Sequence, residues 1–199
     1  MNPIAVLFVD DDSVYKTMRL DCYDKARDAR TWAGGCPVLC HPPCRGWGCL
    51  RKMSHATAEE KALAPWAVDQ VHYWGGVLEH PQASSLWKAV QLPRPQDGLD
   101  AWGGFTLVVD QFWWGHRAQK RTWLYVCGCR RREVPAMSLA LGYAPCQVRN
   151  NRTTALGPPG HRPEISKPER SATPPAFAAW LVELTRRCRS RGDLRHSPP

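Results

Sequence analysis

Short apolar runs alternate with longer amphipathic stretches along this chain, a pattern typical of α/β proteins. Ile4 to Val9 is almost wholly apolar and ends in three aspartates, which predicts a buried parallel strand that emerges into a loop. Val38 and Leu39 close a second apolar run, which two prolines interrupt. We predict that the next residue, Cys44, lies at the carboxyl edge of a parallel sheet, where such sheets bind ligands.

The pattern after residue 56 predicts one long helix, a strand and an antiparallel pair. Thr57-Ala-Glu-Glu60 has the form of a capping box, so a helix should run from there to about Tyr73 and end before two glycines. Residues 77–81 follow as a short strand with an acid near its end. The runs 105–110 and 122–127 are joined by a basic loop and indicate a hairpin-like pair of strands.

The last third of the chain is divided between loop and helix. Residues 130–168 are rich in Arg, Asn, Pro and Gly, which predicts a loop-rich insertion with a short ordered piece near Met137 to Tyr143. A final helix should begin with Thr173 as its capping hydroxyl. Its buried face should contain Phe177, Leu181, Leu184 and Cys188. We predict one domain over residues 1–188 and a disordered tail at 189–199.

Charge and composition indicate an anionic partner. The formal net charge is +9, and the ten tryptophans offer flat surfaces for base stacking, although core packing can also account for several of them. No apolar run approaches the ~20 residues that span a bilayer, and the first residues lack the basic-then-apolar layout of a signal peptide. We therefore expect a cytoplasmic protein that binds a nucleic acid and has no membrane partner.

The nine cysteines raise the question of a metal site. An odd count in a cytoplasmic chain argues against a disulfide framework, so structural zinc is the alternative to consider. The densest group contains Cys36, Cys40, His41, Cys44 and Cys49. None of these has C-x-x-C spacing, and cysteines that flank an apolar strand are ordinary small hydrophobic residues. We predict no metal ligands.

The segment His41-Pro-Pro-Cys-Arg-Gly-Trp-Gly48 resembles the Pro-Cys nucleophile loop of the C5-cytosine DNA methyltransferases. Three later segments resemble this family in the same order. Glu79 falls where the family has Glu-Asn-Val, residues 119–126 resemble its Gln-x-Arg-x-Arg segment and the strand after it, and residues 172–180 resemble its Asn-x-Val-Pro-Pro segment. The resemblance implies a Rossmann-like methyltransferase fold, mostly parallel with a terminal antiparallel hairpin.

Single motif positions differ from the family, among them Trp123 where the family has an arginine, and two departures concern whole segments. The Phe-x-Gly-x-Gly loop for S-adenosyl-L-methionine is absent, and Asp12-Ser-Val-Tyr-Lys16 follows the first strand instead, so this cofactor would have to bind through Ser13, Tyr15 or Lys16. The interval that the family uses for a large target-recognition domain is only about forty residues long. The chain thus looks like a small, divergent phage or prophage member in a bacterial host cell, with limited sequence readout. A partner subunit could supply target recognition or cofactor binding.

The resemblance assigns catalytic roles to three residues, Cys44, Glu79 and Arg121. Cys44 would add to C6 of cytosine and make C5 nucleophilic, while Glu79 protonates N3 and Arg121 binds O2. We expect Arg45 to lower the pKa of the Cys44 thiol, and a dry site to raise the pKa of Glu79. The target base must leave the DNA stack to reach these groups.

The other candidate residues fall into two sets. Those expected to bind S-adenosyl-L-methionine are Asp10, Ser13, Asp24, Asp28, Pro43 and Thr173. Asp24, or Asp21 in its place, would bind the ribose and Asp28 would lie near adenine, unless this segment is simply a solvated charged turn. Those expected to contact DNA are Arg45, Trp47, Arg117, Gln119 and Lys120. Arg117 is the alternative to Arg121 at O2, or these cations contact only phosphate, and Trp47, Trp113 or Trp114 could stack on the flipped base.

The leading hypothesis is modification of cytosine at C5 in DNA through a covalent Cys44–C6 adduct, most directly by methyl transfer. One alternative is C5 modification with a donor other than S-adenosyl-L-methionine. Another is a catalytically inactive, methyltransferase-like protein that binds phage DNA and shields it from restriction. A zinc-stabilised nucleic-acid module is a third class.

Overall fold

Six strands form one mixed sheet in the computed structural model, which describes residues 2–148 and 162–194. In chain order they are β1 (Ala5–Leu7), β2 (Asp21–Tyr23), β3 (Val38–Cys40), β4 (Gly76–Pro81), β5 (Phe105–Asp110) and β6 (Arg121–Cys127). Their order across the sheet is β2-β1-β3-β4-β6-β5. Strands β1 to β4 are parallel, whereas β6 is antiparallel to both β4 and β5. The predicted α/β class, with a mostly parallel sheet and a terminal antiparallel pair, is confirmed.

Helices cover both faces of the sheet. They are α1 (Val14–Thr17), α2 (Ala58–Trp74), α3 (Leu86–Ala89), α4 (Lys167–Ser171), α5 (Pro175–Arg187) and α6 (Arg191–Leu194). Short 3-10 helices lie at Ala29–Thr31, Arg51–Met53, Gln111–Trp114 and Arg131–Glu133. Thr57 Oγ1 accepts the Glu60 N–H at 3.1 Å, as the predicted cap of α2 requires. Within the described ranges, no helix combines the length and apolar character needed to cross a membrane.

The core has two layers of apolar side chains, one on each face of the sheet. The predicted apolar face of α5 is buried, and it packs with α1 against one side of the sheet. On the other side, α2 buries Ala64, Ala67, Val68 and Val71. Because both faces are covered, a ligand can reach the sheet only at its edges.

The structure differs from the predictions at three places in the last third of the chain. Residues 137–143 have no regular structure, and their apolar side chains are exposed, with Leu141 98% accessible. Thr173 does not cap α5, because Pro174 holds the N-cap position without a side-chain hydrogen bond. Helix α6 lies in the tail that we expected to be disordered. Residues 149–161 of the insertion and 195–199 of the tail lie outside the described residues.

The strand order reverses at β1, which has β2 on one side and β3 on the other. The chain therefore leaves β1 and β3 toward different sides, and this divergence opens a crevice at the carboxyl ends of the parallel strands. β6 begins at the same edge because it runs antiparallel to β4. This edge is where a site is expected.

Candidate functional site

A cavity of about 1120 Å³ lies at the carboxyl edge of the sheet. Its walls come from the segments that follow β1, β3 and β4, from the residues at the start of β6, and from helix α4 with the residues after it. Pockets for small molecules usually measure about 300–1,000 Å³, so this one has room for a nucleotide-sized ligand.

The cavity brings together nine of the fourteen predicted site residues. All three predicted catalytic residues line it: Cys44, Glu79 and Arg121. From the predicted cofactor and DNA contacts it is lined by Asp10, Ser13, Pro43, Thr173, Gln119 and Lys120. Cys44 follows β3, and Glu79 lies near the carboxyl end of β4, which is the neighbouring parallel strand, as predicted.

The loop after β3 holds Cys44 by backbone geometry. The His41 N–H donates to the Leu7 carbonyl at 3.0 Å, which keeps the chain in register with β1 until the two prolines end the strand. The N–H groups of Trp47 and Gly48 then donate to the Cys44 carbonyl at 2.9 and 2.8 Å. The chain thus turns tightly around the Cys44 backbone, and the residue is exposed to the cavity.

Glu79 is the centre of a hydrogen-bonded group. Gln111 Nε2 donates to Glu79 Oε1 at 3.1 Å and lies 3.1 Å from Thr122 Oγ1, while His41 Nδ1 lies 3.4 Å from Glu79 Oε2. Burial favours the neutral acid, but the bond to His41 and the positive charges of His41 and Lys120 outweigh it and lower the pKa of Glu79 to about 2. Our expectation of a raised pKa was wrong, because this carboxylate is buried with partners rather than alone.

The cation that lowers the pKa of the Cys44 thiol is Lys120 and not Arg45. Desolvation by the cavity walls raises the pKa of the Cys44 thiol, the charge of Glu79 raises it further, and Lys120 opposes both. Arg45 forms an ion pair with Glu60 of α2, so the role we expected for it is wrong. The Lys120 ammonium donates to the Ala172 carbonyl at 3.3 Å, and burial lowers its own pKa.

Two predicted cofactor residues, Asp24 and Asp28, lie outside the cavity. Asp24 binds Lys16 Nζ at 2.5 Å and accepts two backbone N–H groups of its own loop, which together lower its pKa to about 2. Asp28 caps a 3-10 helix and pairs with Arg30. Both carboxylates are satisfied locally, so the structure corresponds to the alternative of a charged turn.

Three predicted DNA contacts also lie away from the cavity: Arg45, Trp47 and Arg117. The Trp47 indole donates to the Lys61 carbonyl at 3.2 Å, and Arg117 pairs with Glu169 at 3.1 Å. Trp114 is buried in the core beneath α5, Trp113 is partly buried against that core, and neither lines the cavity. Of the two candidates for the O2 contact, only Arg121 lines the cavity.

Three polar side chains with buried atoms also line the cavity: Tyr15, His41 and His80. The Tyr15 hydroxyl, His41 Nε2 and His80 Nε2 have no hydrogen-bond partner among the described residues. An unsatisfied buried polar atom costs about 1–3 kcal/mol, so such a cluster indicates a place for a polar ligand. Tyr15 belongs to the segment that we considered for the cofactor, whereas sequence reasoning missed both histidines as site residues; His41 follows directly after a buried strand, and this signal could have identified it.

No protein-family model, no curated protein and no solved structure matches this chain. Among the described residues, no group of three His, Cys, Asp or Glu side chains is arranged to hold a metal ion. The function must therefore be argued from the cavity: one accessible thiol, one ionised carboxylate beside an imidazole, and two cations.

Proposed function

We propose that this chain modifies cytosine at C5 in DNA through a covalent adduct between Cys44 Sγ and C6. The observation that supports this most is that Cys44, Glu79 and Arg121, which are far apart in sequence, line one cavity. The sheet supports a Rossmann-like methyltransferase fold, because its parallel strands continue into an antiparallel pair and its strand order reverses at β1.

Addition of the thiolate starts the reaction. Cys44 Sγ bonds to C6, the electrons of the C5–C6 double bond move toward C5, and negative charge develops on O2 and N3. Arg121 stabilises the charge on O2. C5 then takes up an electrophile, its original proton leaves, and elimination of the thiolate restores the double bond. With water as the only electrophile, the result is exchange of the C5 hydrogen.

Glu79 and His41 act together on the edge of the cytosine that carries N3 and the exocyclic amino group. Because Glu79 is ionised in the free protein, it accepts a hydrogen bond from the exocyclic amino group of cytosine. N3 needs a proton as charge arrives, and His41 can pass one to Glu79, since the two side chains are in contact. Gln111 holds the carboxylate in place.

DNA is the proposed partner, on which the chain would act in the cytoplasm of a phage-infected bacterium. Its positive charge favours the phosphate backbone, and at the cavity rim the exposed cation Lys167 can contact a phosphate beside a flipped base. The short interval available for target recognition favours weak sequence preference, or a partner subunit that supplies it.

S-adenosyl-L-methionine is the donor that the resemblance implies, but the residues near β1 do not fit it in the family's manner. No glycine occurs between Phe8 and Ser13, and the left-handed backbone position falls on Phe8, at φ 64°. Asp24, the expected ribose ligand, is held by Lys16 outside the cavity. We therefore derive no step through this cofactor, and a different donor is equally compatible with the cavity.

Trapping with 5-fluorocytosine tests the proposal. Fluorine at C5 cannot leave as a proton, so DNA that contains this base should remain bound to Cys44 after group transfer. The protein is incubated with S-adenosyl-L-methionine, with cell extract, or with neither, and hydrogen exchange at C5 is measured in parallel because it needs no donor. Adduct and exchange are expected in the wild type, and extract-dependent adduct alone would identify a different donor.

Cys49→Ser is the matched control for Cys44→Ser, since Cys49 is also exposed but does not line the cavity. Cys49→Ser should keep both the adduct and the exchange, whereas Cys44→Ser should lose both. An adduct that persists in Cys44→Ser would refute the mechanism.

DNA binding without turnover is the second candidate function. It is favoured by the raised pKa of the Cys44 thiol, since a neutral thiol is a poor nucleophile. Tight DNA binding with neither adduct nor exchange under any condition would establish this role.

A further inference from the structure

An arginine cluster lies at the edge of the sheet opposite the cavity. It consists of Arg130, Arg131, Arg132, Arg187, Arg189 and Arg191, which are all exposed. The end of β6 and the end of α5 bring these residues together: the Arg189 N–H donates to the Gly128 carbonyl at 2.9 Å, and Arg187 Nη1 donates to the Glu133 carbonyl at 2.7 Å.

Carboxylates neutralise part of this positive charge, and Glu133 also interacts through its charge with Arg189 and Arg132 without pairing with them. Arg130 pairs with Glu133, and Arg187 pairs with Glu183. In the part of the chain that the structure describes, no carboxylate forms an ion pair with the other four members of the cluster: Arg131, Arg132, Arg189 and Arg191. A set of unpaired like charges repels itself, and an anionic ligand would relieve this repulsion.

Aromatic rings hold two of these guanidinium groups in place. Arg191 lies over the Trp102 ring at 4.6 Å, and Trp102 in turn stacks on His72 with a ring separation of 4.5 Å. Arg131 lies over the Phe105 ring at 4.6 Å. These cation–π contacts restrict the guanidinium groups without adding a negative charge, which lowers the ordering cost of binding.

We propose that the arginine cluster binds the phosphate backbone of a nucleic acid, at a surface separate from the cavity. All six cations are arginines, whose planar forks bind phosphate oxygens through two parallel hydrogen bonds. β6 runs from Arg121 at the cavity to Cys127 beside the cluster, a span of about 20 Å at the usual rise per residue. One nucleic acid that reaches both places must therefore extend well beyond the base in the cavity. This proposal does not depend on chemistry at Cys44.

The test compares two triple variants with the same change in charge. Arg131→Gln, Arg189→Gln and Arg191→Gln remove cations from the cluster, whereas Arg19→Gln, Lys88→Gln and Arg94→Gln remove exposed cations outside it. Affinity for a fluorescent duplex is measured by anisotropy at several salt concentrations. We expect the cluster variant to lower the slope of log affinity against log salt by roughly 2–3, since each lost phosphate contact removes about 0.9. The control should keep the wild-type slope.

Duplex length provides a second readout. Wild type and control should gain affinity as the duplex is lengthened from about 6 to 20 base pairs, and the cluster variant should gain less, because it lacks the distant contact. If the cluster variant does not fold, the corresponding lysine substitutions preserve the charge and should keep the slope while weakening the affinity.

Equal slopes in the two triple variants would overturn the proposal. Competition by polyglutamate as effective as competition by DNA would overturn nucleic acid as the partner. Cys44→Ser should bind DNA with the wild-type slope, so a failure of the Cys44 chemistry remains distinguishable from a failure of this surface.

Discussion

The two edges of the sheet differ in how their residues are used. At the carboxyl edge, polar side chains surround a cavity, and several of their atoms have no partner among the described residues. At the opposite edge the backbone is closely packed: a Cβ atom added to Gly76 would lie 1.9 Å from the Val38 carbonyl oxygen, and one added to Gly128 would lie 2.2 Å from that of Arg189. Above this packed backbone lies the arginine cluster.

Because of this difference, substitutions at the two edges of the sheet should have different effects. Close backbone contacts leave no room for larger residues, so substitutions of the packed glycines at the amino edge should affect folding. Polar groups without internal partners stabilise the fold little and are available to a ligand, so changes at the carboxyl edge should affect binding and reaction.

The largest effect is expected from Glu79→Gln at the carboxyl edge. Removing the carboxylate that works with His41 should slow C5 hydrogen exchange by roughly 10²–10⁴-fold, the usual contribution of a general acid or base. Duplex affinity should change less than about twofold, because one group in the cavity adds little to phosphate binding. The rate of C5 hydrogen exchange and the duplex affinity, the latter by anisotropy, are measured on the same protein preparation to test this prediction. Equal losses in both would mean that Glu79 only supports the structure.

The next effect is expected from Gly76→Ala at the amino edge. Gly76 has φ 137° and no space for a Cβ, so this variant should lose about 3 kcal/mol or more of stability, measured by urea unfolding. Gly35→Ala is the control, because Gly35 also has positive φ, 99°, but has no atom within 4 Å of an added Cβ. It should lose only about 1–2 kcal/mol. Similar losses in the two variants would contradict the importance of the backbone contact.

A smaller effect is expected from Lys120→Met on the reactivity of Cys44. The thiolate is the reactive form, and removing a nearby cation raises the pKa of the thiol further, so less thiolate is present at a given pH. Alkylation of Cys44 at pH 8, followed by mass spectrometry of its peptide, should slow, and the pH at which alkylation becomes fast should move upward. Lys120→Arg should restore the rate, and Arg45→Met should leave it unchanged. Slower alkylation of Cys44 in Arg45→Met would show that Arg45 also lowers the pKa of the thiol, contrary to our assignment.

The smallest effect is expected from Asp24→Asn. Asp24 lies outside the cavity and binds Lys16, so C5 exchange should change less than about twofold. Binding of S-adenosyl-L-methionine, measured by calorimetry, should be equally insensitive. A large loss of that binding would show that the loop around Asp24 rearranges to hold the cofactor.

The sequence by itself determined five of the six strands, the capped helix α2 and the position of Cys44; β2 (Asp21–Tyr23) lies in a segment that we read as a charged turn, and its short polar run gave no strand signal. Hydrophobic runs identify buried strands, Thr57 marks a helix start, and two prolines must end the strand before Cys44. Parallel strands share one carboxyl edge, so the meeting of Cys44 and Glu79 followed from the order of the elements. These features depend on local backbone preferences, which neighbouring residues decide.

Only the tertiary structure decided which charged groups meet. Arg45 is next to Cys44 in sequence but pairs with Glu60, whereas Lys120, from the loop before β6, acts on the thiol. Glu79 is ionised because His41 lies against it, and Asp24 is unavailable because Lys16 binds it. Electrostatic interactions depend on distances in space and on the local degree of burial, and neither quantity can be obtained from positions along the chain.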